Sequence, residues 1–280
     1  MTLSRRAFVK GAAALLPAAS ILADPLEKNN LGVQLYTVRE IIKNNPLQVL
    51  ESIRKIGYRE VEAIYATLPI TWSAIQQAHL KAVSVHGSEA DFEQTANLKR
   101  LKQRGFSYIV RPGLPINQGA AVIKRVAKTM NQLGKQARSE GLTLCYHTHA
   151  QAFKPINGTP ALDILMNETH KEYLQLELDI FWVSVAGHNP ADVLKKFSGR
   201  VPLVHLKDKA SGIPAQYNQH VPPTAFKAVG SGVIDYPAVL KAADSAGVKH
   251  YIVEQDQTPG DQPIKALRKS YNYLKEHFGA

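Results

Sequence analysis

From Leu31 onward the chain alternates between short apolar runs and longer stretches in which apolar residues recur with helical spacing. Eight of the short runs read as strands, because turn residues or charged side chains bound them on both sides. They are Leu31–Tyr36, Glu60–Ile64, Ala82–His86, Tyr108–Arg111, Leu142–His147, Leu174–Asp179, Val201–Leu206 and Tyr251–Glu254. The intervening segments follow the period of a helix. Pro46–Lys55 places Leu47, Leu50 and Ile53 on one face, and Asn117–Glu140 lines up Val122, Val126, Met130, Leu133 and Ala137. Pro190, Pro237 and Pro263 stand where proline suits a first helical turn. Gly57, Gly105, Gly141 and Gly247 each follow a helical run and precede a strand, where a glycine with positive φ ends a helix. This recurring order of helix, glycine and strand predicts an α/β fold, a single (β/α)8 barrel rather than an open sheet. A length of 280 residues accommodates one such barrel, and no linker-like stretch divides residues 24–280. The longest irregular segment, 209–232, follows the seventh strand and is a lid candidate at the barrel mouth.

In a parallel barrel the carboxyl ends of the strands surround one mouth. His147, Asp179, His205 and Glu254 fall at or near the ends of the last four strand candidates. Two imidazoles and two carboxylates suit one divalent cation, whose charge the two acids would neutralise. His147 and His149 have the same parity, so both are candidates for the fifth-strand ligand. Lys207 shares parity with His205 and is a candidate for stabilising a developing oxyanion. His86, Arg111, Glu62 and Gln34 end or line the first four strands and are candidate substrate contacts, with Trp182 as an apolar wall. Glu177 lies one step deeper than Asp179 and suits the support of a ligand histidine.

Composition adds a history to this barrel. Ser4-Arg5-Arg6-Ala7-Phe8-Val9-Lys10 is a twin-arginine pattern, followed by an apolar run from Gly11 to Ala23 and a polar break at Asp24. Residues 1–23 therefore read as a signal peptide cleaved near Ala23, with a periplasmic destination. The apolar run is too short for a stable membrane anchor. Cys145 is the only cysteine, so no intramolecular disulfide forms, which agrees with folding in a reducing compartment before export. The formal charge of +11 falls to 11 − 3 = 8 once Arg5, Arg6 and Lys10 depart. The remaining basic residues are scattered along helical segments, which points to a solvated surface and not to nucleic-acid binding.

The strands also carry a resemblance. Gly32-Val33-Gln34-Leu35-Tyr36-Thr37-Val38-Arg39, Gly57-Tyr58-Arg59-Glu60-Val61-Glu62, Ser84-Val85-His86, Tyr146-His147-Thr148-His149, Glu177-Leu178-Asp179, Val204-His205-Leu206-Lys207-Asp208, Gly230-Ser231-Gly232-Val233-Ile234-Asp235-Tyr236 and Val253-Glu254-Gln255 occur in this order. Together they resemble the sugar phosphate isomerase/epimerase superfamily, the xylose-isomerase-like barrels, over nearly all of residues 24–280. The resemblance implies a divalent metal, often manganese, with magnesium, zinc or cobalt as alternatives, and one ligand from each of the last four strands. Asp179, His205 and Glu254 match the pattern of Glu, Asp, His, Glu, whereas His147 stands in place of the first acid. Epimerases of this kind use two metal-bound glutamates as bases on opposite faces of the substrate, and here only Glu254 remains.

The expected activity is proton removal beside a carbonyl of a sugar or keto-sugar, with Glu254 as acid/base and His147 or His149 opposite it. Isomerisation or epimerisation is the first reading, elimination from keto-glycosides the second, and a non-catalytic metal- or sugar-binding barrel the third. A sugar oxidoreductase in the same pathway is the expected supplier of a keto-substrate. An abasic-site endonuclease shares the superfamily, but export and the absence of further acids for a metal cluster count against it.

Overall fold

The computed structural model describes residues 31–260 and 262–279. The twin-arginine pattern and its cleavage point lie outside the described residues. Eight parallel strands close into a barrel: β1 (Leu31–Gln34), β2 (Glu60–Ile64), β3 (Lys81–His86), β4 (Tyr108–Arg111), β5 (Thr143–His147), β6 (Gln175–Asp179), β7 (Leu203–Leu206) and β8 (His250–Val253). Each strand pairs with its sequence neighbours, and β1 closes the ring on β8 through Leu31↔Tyr251 and Val33↔Val253. All eight expected strands are present. Their ends are shorter than expected at β1, where Leu35–Val38 winds into a 3₁₀ turn, and at β7, which starts only after Pro202.

The helices pack outside the barrel, on the apolar faces that the periodicity marks. Pro46–Ile56 buries Val49, Leu50, Ile53 and Ile56, and its amino end is capped by Asn45, whose side chain accepts from the Gln48 amide. The long helix starts at Ala120 and not at Asn117, because Gly119 (φ 112°) separates it from a single 3₁₀ turn at Ile116–Gln118. Gly247 (φ 83°) closes Tyr236–Ala246 in the left-handed region, with its amide bonded back to Ala243 and Asp244. Between the barrel and this shell lies the main hydrophobic core.

Inside the barrel the alternation of side chains sets a different pattern. Val110, Cys145, Leu203 and Ile252 form a separate apolar layer, with Tyr108 against it. Burial pushes the Cys145 thiol well above its ordinary pKa. Near the amino-terminal end, Glu60 binds His250 and Lys81 at 2.6 and 2.9 Å. Toward the carboxyl end the inward residues are almost all polar, and there the strands end in a cavity of about 610 Å³.

Candidate metal centre and cavity

Asp179 ends β6 and also caps the helix Ile180–Val185 that follows at once. Its Oδ1 accepts from the amides of Phe181 and Trp182 at 2.9 and 3.1 Å. One side of the carboxylate is therefore fixed by backbone, and Oδ2 is turned away from it, toward the Lys207 ammonium at 2.9 Å. His147, His205 and Glu254 bring ring and carboxylate atoms to the same place, and the four donors lie within 4.8 Å of one another. His147 Nε2 is 3.8 Å and His205 Nδ1 is 4.0 Å from Asp179 Oδ2, and His205 Nδ1 is 3.0 Å from Glu254 Oε2. Donors about 2.1 Å from a common ion stand roughly 3–4 Å apart, so the spacing fits one divalent cation.

The far ring nitrogens are held too. His147 Nδ1 meets Glu177 Oε2 at 3.0 Å, and His205 Nε2 meets Glu62 Oε1 at 2.7 Å. A carboxylate on one nitrogen places the proton there and leaves the other nitrogen free for a cation, the usual support of a metal-binding histidine. Glu177 Oε2 also touches His86 Nε2 at 2.7 Å and His205 Nε2 at 3.3 Å. Burial would lower the His86 pKa, but the carboxylates of Glu62 and Glu177 raise it to about 10. The same two imidazoles overcome burial at Glu62 and hold its carboxyl well below the usual range.

Beside the donor cluster, Lys207 is fully buried. Its Nζ reaches Asp179 Oδ2 at 2.9 Å, Glu254 Oε2 at 2.7 Å and Asp256 Oδ2 at 2.8 Å. Against burial, Lys207 and His205 depress the pKa of Glu254, which stays ionised. Asp256 behaves oppositely: burial, aided by the charge of Glu254 and opposed by Lys207, lifts it to about 6.

The cavity wall includes Tyr36, His86, His147, His149, Trp182 and Phe226, together with Glu254, Asp256 and Gln257. His149 and Trp182 lie with ring centroids 5.5 Å apart, and His149 Nδ1 and Trp182 Nε1 are both buried without a partner. Burial and the nearby Lys207 push the His149 pKa down to about 3, so its ring is neutral. Segment 209–232 contributes Gln219, Val221, Pro223 and Phe226 to the wall. Its base is pinned by Asp208, whose carboxylate accepts from the amides of Gly230, Gly232 and Ile234. A Cβ on Gly232 would stand 2.3 Å from Asp208 Oδ1, so this crossing requires glycine.

Four sequence candidates sit elsewhere than expected. Arg111 lies on the outward face of β4 and donates to the Gly87 carbonyl at 2.7 Å, outside the cavity wall. Gln34 and Glu62 point inward but lie one layer too deep. They bond each other at 2.6 Å and have no exposed surface; Glu62 supports His86 and His205, and neither residue lines the cavity. Lys207 is inward as its parity implies, but its ammonium is enclosed by three carboxylates and is not part of the wall. Asp256, which does line the cavity, was missed because it lies beyond the end of β8, where strand parity no longer applies.

Residues 50–277 match the family described as Xylose isomerase-like TIM barrel. An inosose dehydratase from Clostridium perfringens is 30% identical over 190 residues, which span 63% of this chain and 63% of that protein's length. A sugar phosphate isomerase/epimerase structure from Parabacteroides distasonis superposes with a TM-score of 0.75 at 21% identity, covering 88% of this chain and 93% of that one. The structure of an IOLI protein with a binding zinc atom superposes with a TM-score of 0.69 at 18% identity, covering 88% and 97%. At those identities the two structures speak for the fold alone.

Proposed function

Because the chain belongs to the xylose isomerase-like TIM barrel family, we propose that it is a divalent-metal-dependent enzyme that removes a proton beside the carbonyl of a sugar-like or cyclic-polyol substrate. The observation that carries this reading is the convergence of His147, Asp179, His205 and Glu254 within 4.8 Å, at the floor of the cavity formed by the strand ends. These four residues would hold the cation, which when bound would polarise a carbonyl and offset negative charge developing on its oxygen.

The chain's own groups then divide the remaining work. Glu254 is taken up as a ligand. Asp91 also faces the cavity, but its carboxylate is bound by the Ser88 amide and hydroxyl at 2.7 Å. Asp256, whose Oδ2 is paired with Lys207 at 2.8 Å, lines the cavity outside the quartet and is thus the carboxylate placed to move a proton, while neutral His149 and the Trp182 indole N–H are placed to bind substrate oxygens. Trp182 and Phe226 supply apolar wall for the carbon face of a ring.

One cavity carboxylate outside the quartet favours a particular outcome. Epimerisation by direct inversion needs bases on both faces of the reacting carbon. Elimination on one face needs only one group: Asp256 takes the proton from the carbon beside the carbonyl and returns it to the hydroxyl leaving the next carbon. The C–H and C–O bonds break, a C=C bond forms and water departs. A dehydratase-type reaction is therefore preferred here over epimerisation, and the similarity to a protein named inosose dehydratase supports it. The test is to strip the protein of metal, restore Mn2+ or Zn2+, and present keto-inositols, keto-sugars and keto-glycosides in D2O. A product lighter by one water supports elimination. Deuterium uptake with no loss of water, giving an isomer, moves the reading to isomerase. No turnover on any of them with metal bound leaves the barrel as a binding protein.

We also propose export through the twin-arginine route, since Arg5-Arg6 precedes a modest apolar run. Changing both residues to lysine should hold the protein in the cytoplasm, as judged by fractionation. Undiminished delivery of the double variant to the periplasm would sink the assignment.

A further inference from the structure

A lysine with no exposed surface is unusual unless carboxylates replace the water it has lost. Lys207 has three such partners, and two of the oxygens it touches, Asp179 Oδ2 and Glu254 Oε2, belong to residues of the candidate metal quartet. The third partner, Asp256, stands outside the quartet. Contacts of 2.9, 2.7 and 2.8 Å to Asp179, Glu254 and Asp256 set the ammonium's positive charge directly against all three acids.

Building on the metal site described above, we propose that Lys207 is a resident counter-ion that competes with the divalent cation for Asp179 and Glu254 and thereby sets which cations the site retains. Two carboxylates attract every divalent ion by charge, and the ammonium cancels part of that attraction for all of them alike. The attraction of His147 and His205 is not cancelled. It is strong for zinc and cobalt, weaker for manganese and least for magnesium. With the shared electrostatic term reduced, ions that depend on charge alone fall below useful affinity and ions that bind imidazole remain. His147 at the end of β5 adds to the effect, because an imidazole brings no negative charge and the quartet itself holds two carboxylates. Asp256 Oδ2 gives the ammonium an ion pair that survives when a cation takes the other two oxygens.

The experiment uses the full chain, stripped of metal and titrated with Zn2+, Mn2+ or Mg2+ in competition with a fluorescent chelator. Lys207→Met should tighten all three, by about tenfold or more, and bring Mg2+ into the measurable range. Asp256→Asn should weaken all three, and that loss should shrink in the Lys207→Met background, because Asp256 acts through the lysine. Unchanged or weaker binding by Lys207→Met overturns the inference. So does an Asp256→Asn effect that is absent, opposite in sign, or equally large in both backgrounds. Should Lys207→Met fail to fold by circular dichroism, Asp256→Asn in the wild-type background still decides: unchanged or tighter binding overturns the inference. If neither the wild type nor Lys207→Met binds any of the three ions, the metal reading fails along with it.

Discussion

Asparagine in place of Asp256 is expected to lower turnover by about 10²–10⁴-fold at saturating metal, the usual contribution of a positioned acid/base group. The substitution keeps the size of the side chain and an oxygen for Lys207, but it removes the charge and the basicity. The main loss should appear in kcat, with a smaller change in KM, because the group acts on the proton and not on the body of the substrate. The pH profile gives a second readout. A base works as its carboxylate, so kcat/KM of the wild type should rise with pH through about 6, where burial and Glu254 place the Asp256 pKa, and level off above it. Asp256→Asn should remove that limb. Wild-type turnover in Asp256→Asn, combined with a dead but metal-loaded Glu254→Gln, would return the role of base to Glu254.

His205→Ala should leave the protein without bound metal and with a lowered melting temperature. His205 is fully buried and touches Glu62, Glu177 and Glu254 at 2.7, 3.3 and 3.0 Å. Removing the ring takes away one donor of four and strands carboxylates that have few other partners. Breaking a buried ion pair by deleting one side typically costs about 3–5 kcal/mol. His149→Ala is the control: it empties part of the cavity wall but leaves the quartet whole, so metal should be retained. Elemental analysis and thermal melts of the two variants check this directly. A full equivalent of metal in His205→Ala would rule out the quartet as the binding site.

The barrel was legible in the sequence because its signals are local. Strand runs, helix periodicity and the glycines before strands each report on a few neighbouring residues, and a parallel ring is one of few ways to satisfy all of them. The same holds for Asp179 and His205, polar side chains at the inward ends of apolar strands, where burial demands a partner. Depth was not legible. Gln34 and Glu62 face inward as parity implies, but the stagger of β1 against β2 puts them below the cavity, and only the pairing register reveals that. Arg111 ends its strand on the outward face, with Tyr108 and Val110 turned inward, so nearness to the strand end misled where parity did not. For Lys207 the direction was readable, but its three partners come from β6 and from residues past β8, contacts that only closure of the ring creates.

Glu177 also bears on how such a site can change. Its single oxygen Oε2 serves His86, His147 and His205 at once. An acid substituted at position 147 would bring a new negative charge against that oxygen and forfeit the hydrogen bond that orients the present imidazole. A change at position 177 alone would leave three imidazoles without their common acceptor. Neither step is favourable by itself, so a change at position 147 is expected to require a matching change at position 177. A His147→Glu variant is therefore expected to be less stable alone than when position 177 loses its charge with it.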